Sequence, residues 1–294
     1  MEKSKVYFTK EITPEGLVRI YEALNIELKG KVAVKISTGE AGGHNYLKPE
    51  LIGKLVKKLN GTIVECNTAY AGKRNTVEDH MEVVRDHGFL TIADVDIMDA
   101  DGEIEIPVAY NGHLKGKNIV GSHLSNYDSM LILSHGKGHQ MAGAGFCLKN
   151  MAIGVASRNG KAWIHSAGYT DDPDILWSNL PKQDDFLESM AEACQRVIDY
   201  IKKENLAYIT VLNNISIDCD CDSNPKEPEM ADIGILASLD PVAIDQAAYD
   251  MIINSPDEGK KSLVARMEKQ HAIHTIEAAC DLGLGLREYE IEEI

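Results

Sequence analysis

Residues 31–66 constrain this chain more than any other stretch. Residues 31–36 form a short apolar run read as a core strand, and a glycine-bearing turn over 37–44 follows. Leu47, Leu51, Ile52, Leu55, Val56 and Leu59 then recur at helical spacing, with Pro49 placed in the first turn. Residues 62–66 read as a second strand. Strand, glycine turn, helix, strand is the right-handed crossover unit of a parallel sheet.

The same alternation continues downstream. A helix is expected over 77–87, closed by Gly88, and strands over 91–97 and 103–109, the latter two joined as a hairpin around Asp101 and Gly102. Short apolar strands are expected at 118–123 and 130–133, and a helix runs into Asn150 and Ile153. After a polar, proline-bearing loop over 165–184, Phe186, Met190, Cys194, Val197 and Ile201 mark one face of a helix. Residues 208–217 alternate like a strand, and 233–237 read as another. Asp240 and Pro241 supply an N-cap and first-turn proline for the helix through Ile252, and a last helix spans about 274–281. The expectation is α/β, a largely parallel sheet flanked by helices. The chain reads as one domain over 1–294; a division into two lobes would fall near 112–117.

Three segments carry chemistry. Residues 134–145 hold His135, Lys137 and His139 among glycines, which let a backbone approach a ligand closely. If they open the helix bearing Lys149 and Asn150, its N-terminus would attract an anion. The turn with Gly42 and Gly43, and Arg74 in the loop after the second strand, would add to such a cradle, with Thr76 as N-cap of the next helix. Residues 218–222 alternate aspartate and cysteine. Continuing the preceding strand would put Cys219 and Cys221 on its apolar face and the aspartates on a solvated one. Two thiols on one face could ligate zinc or iron with His139 and His165, and His123 is a further candidate. Asp240 is read as a cap, and Asp245 as either a solvated helix residue or a polar group aimed at the site. No nucleophile elbow or paired-histidine metal helix is present in the sequence.

These segments, in this order, resemble the domain of unknown function 362 family, often labelled uncharacterised iron–sulfur centre proteins. The resemblance rests on residues 39–42, 46–49, 67–74, 137–139, 148–150, 161–165, 219–221 and 282–285, and above all on 232–247. It implies the fold. Many members carry a ferredoxin-like module with a Cys-x-x-Cys-x-x-Cys run, which would fall between His165 and Phe186; this chain has no cysteine there. Its cysteine spacing does not support an iron–sulfur cluster.

Charge narrows the partners. Thirty Lys and Arg against 46 Asp and Glu give a formal charge of −16, which argues against nucleic acid or anionic membrane and leaves a small anion at a local basic patch. Residues 1–7 lack the apolar run of a secretory signal, uncharged stretches such as 129–134 are too short to span a bilayer, and six scattered cysteines read as free thiols. A cytoplasmic chain is expected. Its function reads as a metal site, in an enzyme or redox-associated protein acting on an anionic small molecule. A metal-free anion-binding module and a structural partner of a separate ferredoxin are the alternatives.

Overall fold

The computed structural model describes residues 3–107 and 112–294. The chain opens with β1 (Ser4–Thr9), α1 (Pro14–Ala23), β2 (Val32–Lys35), α2 (Pro49–Lys58), β3 (Thr62–Glu65), α3 (Val77–Asp86) and β4 (Val95–Ile97). It continues through β5 (Glu103–Pro107), β6 (Lys117–Gly121), β7 (Ser129–His135), β8 (Lys137–His139), β9 (Gly143–Gly145), α4 (Cys147–Val155), α5 (Arg158–His165) and α6 (Pro173–Leu176). The last elements are α7 (Gln183–Ile201), β10 (Leu206–Leu212), β11 (Gly234–Ser238), α8 (Pro241–Ile253), α9 (Lys261–Lys269), α10 (Ile273–Asp281) and β12 (Tyr289–Glu293). Among the described residues no helix is long and apolar enough to cross a membrane.

The main sheet has the order β12-β1-β11-β10-β7-β2-β3-β4. Its neighbours pair in parallel except at β11, which runs against both β1 and β10. The largely parallel α/β architecture read from the sequence is therefore the architecture observed. Both faces are covered. Met130 and Ile132 of β7 enter a core with α4, α7 and α8, while Leu131 and Leu133 enter a second core with α1 and α2. That period of two, apolar on both sides, is what a sandwiched parallel strand requires.

The order of connections creates one special place. From β2 the chain passes through α2 to β3 on one side. From β7 it passes through α4, α5 and α7 to β10 on the other. β2 and β7 are neighbours in the sheet, so their outgoing loops part in opposite directions. Such a switch point leaves a crevice at the C-terminal strand ends, where α/β sheets take their ligands.

Three expectations need correction. Residues 89–91 form a single 3-10 turn after the left-handed Gly88, so the strand read over 91–97 is confined to β4. The strand read over 103–109 is observed as β5, with residues 108 and 109 outside the described residues. It pairs antiparallel with β6 rather than in a hairpin with β4, which joins β3 in the main sheet. The strand read over 208–217 ends at Leu212, because Asn214 turns into the left-handed region (φ 44°).

Two helix starts bear on the site. Asp240 accepts from the N–H of Val242 and Ala243 and so caps α8, as read. Asp245 is neither solvated nor free: its two oxygens accept the N–H groups of Cys147 and Leu148, each at 2.9 Å. It thus caps α4 from another helix, where Phe146 at the N-cap position offers no side-chain bond. Burial pushes the Asp245 carboxyl up to about 8, against those two donors. The value exceeds the roughly 4 of an unfolded aspartate, so the native state holds the proton more tightly and the residue's contribution to stability falls as pH rises between them. Asp245→Ala is expected to lose about 1–3 kcal/mol in urea denaturation at about pH 5, with the deficit shrinking toward about pH 8. A deficit that grew with pH would contradict this reading of Asp245.

Candidate functional site

A cavity of about 1010 Å³ occupies the switch-point crevice. Lys35 and Ser37 at the end of β2, Glu65 and Cys66 at the end of β3, and Ser134 and His135 at the end of β7 form its floor. In a chain of net charge −16, the lining carries six Lys or Arg residues against four carboxylates.

Its centre is built by the glycine-rich segment and the 218–222 turn together. β8 and β9 form a two-stranded hairpin, and Gly138 donates its N–H to the Ser216 carbonyl at 2.8 Å. A side chain at Gly138 would stand 2.1 Å from the Ile217 carbonyl oxygen. The glycine therefore serves close approach between two chain segments, not to a ligand. The approach lays 216–222 along β8. Asp220, buried at 3% exposure, receives His135 Nδ1 at 2.7 Å and stands 2.9 Å from Lys137 Nζ. It also supplies its carbonyl to the N–H of Glu40 at 2.7 Å. The solvated aspartate face expected from strand alternation does not exist: Asp218 and Asp220 are buried, since the strand has ended and the turn faces inward.

That turn brings Cys219 and Cys221 to His139, with one ligand atom of each within 4.8 Å of the others. The Cys219 thiol is held well below its ordinary range, first by its hydrogen bond with Cys221 against the cost of burial, and further by Lys149 and His139. The same bond holds the Cys221 thiol up. Burial lowers His139 to about 4, with Lys149 adding to it, and the ring is neutral. Its Nδ1 accepts the N–H groups of Met141 and Ala142 at 3.2 and 3.0 Å, which leaves the proton on Nε2. His165 has the opposite tautomer. Its Nδ1 donates to the Lys161 carbonyl at 2.7 Å, freeing Nε2, and burial lowers it to about 3. It lines the same cavity but stands outside the His139–Cys219–Cys221 group.

The remaining candidates divide. Arg74 and Lys137 line the cavity but are committed, Arg74 to Glu65 at 3.3 Å and Glu40 at 3.5 Å, Lys137 to Asp220. Lys149 lines it too, and among the described residues no carboxylate pairs with it. The Asn150 amide bonds Lys35, Leu133 and Ser134, tying β2 to β7 rather than standing open to a ligand. Gly42, in the left-handed region (φ 85°), and Gly43 stand behind the cavity against the Ser223 and Asp222 carbonyls. The free N-terminus expected of α4 is taken by Asp245. His123 lies elsewhere, between Asp96 and Asp101. Thr76 caps α3 as read.

Sequence reasoning missed Lys35, Glu65 and Lys161. Glu65 accepts from Thr38 N–H at 3.0 Å and faces His80 at 3.2 Å, Arg74 and Lys35. Burial alone would push it up, but Lys35, Arg74 and His80 together hold it well below the usual carboxylate range. Lys35, 1% exposed, is lowered by burial to about 8, Glu65 partly offsetting that. Burial also lowers Lys161, whose Nζ meets only the Ala156 and Cys66 carbonyls. The one available signal was a charge inside each apolar strand, Lys35 and Glu65, at the end where ligands bind.

Fold and site together define an α/β protein with a thiol–imidazole group at the wall of a cationic switch-point cavity. The chain belongs to the DUF362 family, a domain of unknown function, which it matches over residues 32–250. No curated protein matches it. Among solved structures it is similar to the lactate racemase apoprotein from Thermoanaerobacterium thermosaccharolyticum, with 13% identity and TM-score 0.47 over 84% of this chain and 56% of that one. It is also similar to a protein from Thermotoga maritima, with 14% identity and TM-score 0.44 over 91% of this chain and 58% of that one. The chain thus spans little more than half the length of either.

Removing one member of a buried ion pair leaves the other uncompensated, at about 3–5 kcal/mol. Asp220→Ala should show a loss of that size in urea denaturation, and the double variant Asp220→Leu with Lys137→Met should recover most of it. Equal losses in single and double variants would contradict the pairing.

Proposed function

We propose that Cys219 and Cys221 hold a thiophilic divalent ion, zinc or iron, at the cavity wall, and that the cationic lining holds an anionic small molecule beside it. The observation that carries this reading is the meeting of two thiols and an imidazole, from distant segments, inside a net-cationic cavity of a strongly acidic chain.

The residues fit such an ion unequally. Cys219 is the more acidic of the two thiols, and a cation would displace the protons that the pair retains. His139 presents an N–H rather than a lone pair toward the sulfurs, the outer-shell arrangement that tunes a thiolate ligand. His165 offers a free Nε2 on the same cavity. The ion would supply Lewis acidity toward a substrate oxygen. Lys149, without a carboxylate of its own, is the cation free to take the anion's charge. Lys161 and Lys35 reinforce it, and Phe146 and Ile153 give the same lining an apolar part.

Protein purified without added metal is expected to contain about one cysteine-dependent zinc or iron per chain by elemental analysis. Cys219→Ser and Cys221→Ser should each lose it, and His139→Ala should keep it with about 10–100-fold weaker affinity. Trace metal in all forms would overturn the reading. Thermal stabilisation by carboxylate or phosphate compounds should be lost in Lys149→Met. An unchanged shift in that variant would remove Lys149 from the anion site.

A further inference from the structure

A second group of ligating side chains lies outside the cavity. His271 and His274 sit at the entry to α10, with the His274 N–H bonded to the His271 carbonyl at 2.9 Å. Their rings stack at 4.9 Å between centroids and 18° between planes. Facing them, Asp184 and Glu188 are one turn apart on α7 and share a face. Asp184 Oδ1 meets His271 Nδ1 at 2.7 Å, and Glu188 Oε1 meets His274 Nε2 at 2.9 Å. The other Glu188 oxygen takes His113 Nε2 at 2.7 Å. One ligand atom each from Asp184, His271 and His274 lies within 4.8 Å of the others.

We infer that this patch is a second metal site, for a borderline divalent ion such as zinc, with Asp184, His271 and His274 as ligands. Glu188, bonded to both His274 and His113, is the positioning carboxylate, because a carboxylate on the far nitrogen of an imidazole fixes its tautomer and ring orientation. Nitrogen and oxygen donors suit zinc, nickel or copper, unlike the thiol pair of the cavity. The group is reachable from solvent, since the Asp184 and His271 side chains are about half exposed (49% and 48%). A simple surface ion pair needs two partners. Here six titratable groups from three chain segments converge, Glu277 standing 3.7 Å from His274 Nδ1, and exposed pairs of this kind gain little by themselves.

The site would brace the other one. Gln183, next to Asp184, donates to the carbonyls of Met141 and Gln270, both at 2.7 Å. Met141 belongs to the loop whose N–H groups hold His139. An ion joining α7 to residues 271–274 therefore fixes the segment that positions His139. The inference does not depend on metal at the cysteines.

The test uses tag-free protein carrying Cys219→Ser and Cys221→Ser, titrated with zinc by calorimetry. One saturable equivalent is expected, weakened about 10-fold or more by Asp184→Asn and by His271→Asn. Asparagine is chosen at His271 because its backbone is left-handed (φ 52°), a conformation asparagine tolerates. Absence of saturable zinc in the Cys219→Ser, Cys221→Ser protein would overturn the site, as would an affinity left unchanged by both asparagine substitutions. Loss of metal on cysteine substitution alone concerns only the cavity centre, so the two proposals fail separately.

Discussion

The whole site hangs on one buried carboxylate. Asp220 cannot be solvated where it lies, so its charge must be met by His135 and Lys137. Meeting it fixes the 216–222 segment against β8, and the lack of a side chain at Gly138 lets the backbones close to contact. Cys219 and Cys221 flank Asp220 in sequence, so holding that one side chain delivers both sulfurs to His139.

A second buried set defines the floor. Glu65 gathers Lys35, Arg74 and His80 where β2 and β3 end, and Asn150 ties the ends of β2 and β7 from α4. These polar contacts sit where the sheet's two cores stop and the switch-point crevice begins. With the α4 N-terminus taken up by Asp245, attraction for an anion comes from side-chain cations and not from the helix end. Lys149 projects from that same capped helix, so Asp245 helps position the cavity's one lysine that has neither a carboxylate nor a carbonyl partner among the described residues.

Much of the scaffold is legible in the sequence because it obeys local rules. The unit over 31–66 combines helical spacing, a first-turn proline and short apolar strands, and it is present as β2, α2 and β3. The face of α7 and the capped start of α8 are equally plain. Cys219 and Cys221 stand out as unusual, yet strand alternation is not what brings them together. The alternating pattern runs past Leu212, whereas Asn214 breaks the strand and a buried ion pair, invisible to periodicity, orders residues 216–222. The glycines read as room for a ligand, but Gly138 makes room for backbone. α9 and the edge pairing of β1 with β12 escape a sequence reading, since nothing local in the 289–293 strand announces a partner near residue 4.

The central claim is that two sulfurs face one ion. X-ray absorption at the metal edge of protein carrying Asp184→Asn and His271→Asn, loaded with one equivalent of zinc, reads this directly. Two sulfur scatterers at about 2.3 Å, both lost when Cys219 and Cys221 are replaced by serine, are the result this account predicts. A shell of nitrogen and oxygen alone with both cysteines in place would contradict it.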